Sequence, residues 1–136
     1  MATESPLIHD GAQTTAAANY YNPATPLAGP GGSGQFLFVF LSAARVVTVQ
    51  TSSGGTAYGI LQNTPALGQA ADVGIVGVSK VVAGAAFSAG ALLMSDTSGR
   101  AIAQTGSNII TAVAIEASGA LGQIVTVAIV PTMNQT

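Results

Sequence analysis

The chain has 136 residues, a net charge of −2 and charged side chains at only 6% of positions, against roughly a quarter in an ordinary globular domain. Its length suits one compact domain with a tail, and 49% hydrophobic residues suffice for a core. With no basic run to neutralise phosphates, no nucleic-acid partner is expected; with no cysteine, disulfides and thiolate metal sites are excluded.

Residues 1–34 are rich in Ala, Thr, Pro, Asn and Gly and end in LAGPGGSG, a glycine-rich joint. Pro6, Pro23, Pro26 and Pro30 favour extended or turn backbone over a long helix. This stretch reads as an extended N-terminal arm, with residues 35–136 as the folded domain. MATESPLIHDG at its start carries neither the basic nor the apolar region of a secretory signal. Tyr20 and Tyr21 are aromatics in a small-residue segment, suited to anchoring in a partner's pockets. The alternative is that the arm folds back on its own domain.

From Gln35 onward, short strand patterns alternate with turn signals. Phe36 to Leu41 is apolar on both faces and predicts a strand buried on both sides, with Phe36, Phe38 and Phe40 as core. It is also the longest apolar run without glycine, far short of the roughly 18 residues of a membrane helix, so no membrane partner is expected. Val46 to Gln50 is rich in β-branched residues. After a turn at residues 52–55, Tyr58 to Leu61 predicts a short strand, and Asn63, Pro65 and Gly68 mark a loop. Ala66 to Ala71 has room for one helical turn at most. Val73 to Val82 is β-branched but interrupted by Gly74 and Gly77, which suggest bulges or close backbone approach. Ala91 to Met94 leads into a turn at 95–99 whose Gly99 can take positive φ. In Ile109 to Ile115 the bulky Ile109, Val113 and Ile115 share one parity and Ala112 and Ala114 the other, so one face packs bulk and the other packs tightly. Leu121 to Val130 repeats the alternation after a hairpin connection at Ser118–Gly119. No segment sustains a helical period. The pattern predicts an all-β domain, a small barrel or sandwich.

Chemistry-bearing residues are sparse. His9 is the single histidine and lies in the arm, where nothing holds it for a Ser-His-Asp arrangement. Asp72, Asp96 and Glu116 fall far apart in sequence, at strand ends or turns where carboxylates ordinarily face water. Gly29 to Gly34 matches G-x-G-x-x-G, but it precedes a strand rather than joining a strand to a helix, so it reads as a linker and not a dinucleotide site. No metal-ligand cluster is visible. No enzyme, cofactor or metal is expected.

Three successive stretches carry a resemblance: GILQNTPALGQAADVGIVGVSKV at 59–81, VAGAAFSAGALLMSDTSGRAIA at 82–103, and AVAIEASGALGQIVTVAIVP at 112–131. In order and spacing they resemble the capsid decoration, or cement, proteins of tailed phages. The resemblance covers roughly residues 57–131 and leaves the arm unmatched. It implies a small β-barrel or β-tulip-like domain on the outer surface of the virion capsid, made in the host cytoplasm. It also implies two partners, the major capsid protein and further copies of the chain, as a homotrimer at threefold or quasi-threefold positions. On that footing the arm supplies the capsid-binding candidates Leu7, Ile8, Tyr20, Tyr21 and Pro23. The competing reading is a phage surface or tail module recognising a host glycan. It needs exposed aromatics beside polar loops, and Tyr58 is the single tyrosine of the domain, which has no tryptophan.

Overall fold

The computed structural model describes residues 20–21, 35–44, 46–63 and 71–133. Among them there is no helix. Ten strands form two five-stranded sheets. In the first, here sheet A, the order is β1 (Tyr20–Tyr21), β3 (Val46–Val49), β2 (Phe38–Ala43), β4 (Gly59–Leu61) and β5 (Val73–Gly74). In sheet B it is β6 (Gly77–Val82), β10 (Ile124–Met133), β9 (Ile110–Ala114), β7 (Leu92–Ser95) and β8 (Ala101–Ala103). All pairings are antiparallel except β1 on β3.

The all-β expectation holds, but the architecture is sandwich-like and not a closed barrel. The outer strands of sheet B, β6 and β8, meet only at an isolated parallel bridge between Ala83 and Ala101. Sheet A ends on two strands of two residues each, β1 and β5, which pair with nothing further among the described residues. Backbone hydrogen bonds stitch the sheets instead. The Phe38 N–H donates to Gly99 at 2.8 Å, the Val82 N–H to Phe36 at 2.9 Å, and the Gly54 N–H to Ser95 at 2.8 Å.

Phe36 to Leu41 is predicted as one strand; the strand starts at Phe38, because Phe36 has a φ of 63°. Burial on both faces holds for Leu37, Phe38 and Val39; of the three phenylalanines expected in the core, Phe36 and Phe40 are only half-buried, and Leu41 is exposed where the β2–β3 hairpin runs out into solvent. Phe38 and its cross-strand partner Ile60 enter the main core beneath sheet B, with Val81, Phe87, Leu93, Val125, Val127 and Ile129. Leu37, Val39, Val47, Val49, Leu61 and Val73 form a second cluster on the other face of sheet A. Sheet A is thus apolar on both sides, which is why its strands show little alternation.

The predicted strand Val73 to Val82 is two strands in different sheets. Gly77 adopts a φ of 97°, and this left-handed step turns the chain from β5 into β6. A second glycine, Gly59, is required by closeness. A Cβ there would fall on the carbonyl oxygen of Gly74, where β4 and β5 are pressed together. β8 has no counterpart in the sequence-based reading. The one-turn helix considered for Ala66 to Ala71 falls largely outside the described residues.

Candidate docking surface

The side chains on the core side of sheet B are Ser79 and Val81 of β6, Val125, Val127 and Ile129 of β10, Ala112 and Ala114 of β9, and Leu93 of β7. Strand alternation therefore turns Val78, Ala128, Val113 and Leu92 to the opposite face. Register joins these four in one row. Ala128 pairs with Val78 on one side and Val113 on the other, and Val113 pairs with Leu92. At ordinary strand spacing they stand about 5 Å apart. Val78 is 53% exposed and Leu92 46%, with Ala128 and Val113 half-buried between them. Ile115 and Ile124, 48% and 52% exposed, continue the aliphatic surface toward the β9–β10 hairpin.

In β9 the bulky and small residues thus exchange the roles that packing alone suggests. Ala112 and Ala114 point into the core, which Phe38, Phe87, Leu93 and Ile129 already fill, and Val113 points out. Aliphatic side chains held in register and left exposed make this face a candidate docking surface. Residue type alone did not reveal it, because either parity of β9 or of Leu92–Leu93 reads as a core face.

Two opposite charges flank the row. Lys80 is exposed and pairs across the ladder with Thr126. Ile115 and Glu116 both donate their N–H to the Thr126 carbonyl, at 3.0 and 3.2 Å, in a bulge-like step that ends the pairing. The Glu116 carboxylate accepts the Thr126 N–H at 2.8 Å. That bonding, with a smaller contribution from the Lys80 charge, holds the Glu116 carboxyl below its ordinary pKa.

The Asp96 carboxylate serves local structure. Asp96 Oδ1 accepts the N–H groups of Ser98 and Arg100 at 2.7 and 2.9 Å, and Oδ2 accepts Arg100 Nε at 3.1 Å. Together they shape the β7–β8 turn, where Gly99 takes the expected positive φ, 79°. Asp72 lies just before β5, and burial pushes its carboxyl up. No group of three or more His, Asp or Glu side chains that could hold a metal occurs among the described residues. No helix among them is long and apolar enough to cross a membrane.

Of the arm candidates, Leu7, Ile8 and Pro23 lie outside the described residues, as do His9 and the glycine-rich 29–34. Tyr20 and Tyr21 form β1, whose backbone pairs with Val46 and Val47 along the edge of sheet A. The arm thereby touches its own domain at this point.

No protein-family model matches the chain, and no curated protein matches it. Its fold is similar to that of a solved structure described as the head fiber gp8.5 N base in bacteriophage phi29, at a TM-score of 0.57. The match covers 75% of this chain and 88% of that one at 16% identity, a likeness of fold.

Proposed function

We propose that the chain is a structural protein of a tailed-phage head that attaches to the outer surface of the capsid, bridges major capsid subunits and stabilises the shell against internal DNA pressure. The aliphatic outer face of sheet B is the observation that carries this reading. It is an exposed aliphatic face on a domain in which the Asp96 and Glu116 carboxylates are engaged in a turn and a ladder. The fold likeness to a phage head fiber base supports it, as does the cement-protein resemblance at 59–81, 82–103 and 112–131. On the virion the copies stand as homotrimers at threefold or quasi-threefold positions. The glycan-binding alternative gains no support from this face, which presents Val, Leu, Ile and Ala and no aromatic side chain.

The test is co-sedimentation of the full chain with undecorated phage shells. The chain is expected to pellet with the shells and to raise their melting temperature. The double substitution V78E/L92E is expected to weaken binding at least tenfold while leaving the melt of the free protein within a few degrees. A full chain that stays in the supernatant overturns the reading.

A further inference from the structure

Among the described residues, the outer edge of β6 carries no further strand. Ala83 faces β10, donating to Gln123 at 2.7 Å and accepting from Gly122 at 2.8 Å, whereas Val82 turns its N–H away from β10 to Phe36. Backbone groups alternate along a strand, so Lys80 and Val78 also direct their N–H and C=O away from β10. The Lys80 carbonyl accepts the Ser79 hydroxyl at 3.0 Å. Among the described residues nothing else meets the Val78 N–H and C=O or the Lys80 N–H. Edges of this kind are templates for a further strand. The row Leu92–Val113–Ala128–Val78 ends at this edge, so an added strand would extend it by one residue. That residue should be apolar. Two positions along, opposite Lys80, an acidic side chain is matched by charge.

Residues 1–34 contain one segment with a large aliphatic residue two positions before an acid, Ile8-His9-Asp10. Laid parallel to β6 with Ile8 beside Val78 and Asp10 beside Lys80, it answers each open group. The His9 N–H would donate to Val78, the His9 carbonyl would accept from Lys80, and the Leu7 carbonyl would accept the Val78 N–H. The chain direction favours another molecule's edge over its own. β1 runs parallel to β3 with Tyr20 at Val46, so its N-terminal end lies at the outward tip of the β2–β3 hairpin, where Leu41 to Ala44 are exposed. Val82, in contrast, is bonded near the opposite end of β2, at Phe36. The ten residues from Asp10 to Tyr20 can extend about 33 Å, enough to cross to a neighbouring domain.

We propose that residues 7–10 of one copy add as a parallel strand to the β6 edge, Val78 to Lys80, of a second copy. Repeated around an assembly of three copies such a contact is head-to-tail, and head-to-tail contacts form rings where the rotation closes. The inference deepens the homotrimer part of the proposed function and needs no shell.

The chain has no cysteine, so a pair introduced as I8C/V78C reports this contact directly. Paired strands hold opposed Cα atoms within disulfide range. Oxidation of the full-length double variant, without shells, is expected to give covalent oligomers beyond the dimer that collapse to monomer in reductant. Either single variant should stop at a dimer. On that background D10K or K80D should lower the yield several-fold, and D10K/K80D together should restore it. A bridge formed within one molecule overturns the proposal, as does no bridge at all or a charge exchange that fails to restore the yield. Because shells are absent, its failure leaves the co-sedimentation result standing, and the converse also holds.

Discussion

The carbonyl of Phe36 accepts the N–H of Val82 at 2.9 Å, while the Phe36 N–H donates to Leu61 at 2.7 Å. One residue in a left-handed conformation, at a φ of 63°, thus ties the entry of sheet A to both β4 and β6. A non-glycine residue pays about 1 to 2 kcal/mol for that conformation, and two backbone bonds to different strands hold it there. The ring also packs against the second core cluster. Phe36→Ala keeps the strain and loses the packing, whereas Phe36→Gly loses the packing and relieves the strain. The glycine variant is therefore expected to be more stable than the alanine variant by about 1 kcal/mol, the reverse of the usual order within a strand. Paired thermal melts check the sign.

Gly59 and Gly119 separate closeness from mere flexibility. A Cβ at Gly59 meets backbone, the Gly74 carbonyl, which cannot rotate away. At Gly119 the nearest atom lies at 3.6 Å, on a side-chain amide. Gly59→Ala is expected to cost about 3 kcal/mol or more, at or above the usual range for overpacking. Gly119→Ala should stay within about 0.5 kcal/mol. Denaturant titration of the two variants provides the comparison.

Leu92 and Leu93 are adjacent and chemically identical, and they face opposite sides of β7. Leu93 is fully buried in the main core. Leu93→Ala should lower stability by about 2 to 5 kcal/mol, and Leu92→Ala by less than about 0.5 kcal/mol. Equal losses would mean that the aliphatic row is covered within the monomer.

Two carboxylates give opposite pH signatures. Burial raises the Asp72 carboxyl, so its contribution to stability is present below the unfolded pKa and is lost as pH rises through the folded one. Asp72→Asn is expected to melt above the wild type at neutral pH, with the gap closing in acid. The Glu116 carboxyl is lowered by its bonds to Thr126, so its contribution is present above the ordinary carboxylate range and is lost as pH falls through the lowered value. Glu116→Gln should show its deficit at neutral pH and lose it in acid. Melting temperature against pH for both variants tests the signs.

Removal of residues 1–34 takes away only β1 among the described elements, and sheet A keeps four hydrogen-bonded strands. The truncated chain is expected to fold with an unchanged β-type circular dichroism spectrum and to bind shells more weakly than the full chain. Replacing Tyr20 and Tyr21 by Ala should weaken binding less than the truncation. Binding equal to that of the full chain would assign attachment to the face of sheet B alone.

Composition and period-two patterning were enough to read an all-β domain, because strand alternation and turn-forming glycines are local properties. Gly99 at a positive φ and the burial of Leu37 to Val39 on both faces follow from nearest neighbours, and both were legible. Other features were not local. Val73 to Val82 reads as one strand, and only the left-handed step at Gly77 sends its halves into different sheets. The orientation of β9 was equally hidden, since a period-two pattern defines two faces without saying which meets the core. That choice came from the volume that Phe38, Phe87, Leu93 and Ile129 bring to the same space, which leaves room for Ala112 and Ala114 and forces Val113 outward. The aliphatic row of sheet B exists for that reason. Its members are spread over four strands from Val78 to Ala128, and only the ladder registers bring them side by side.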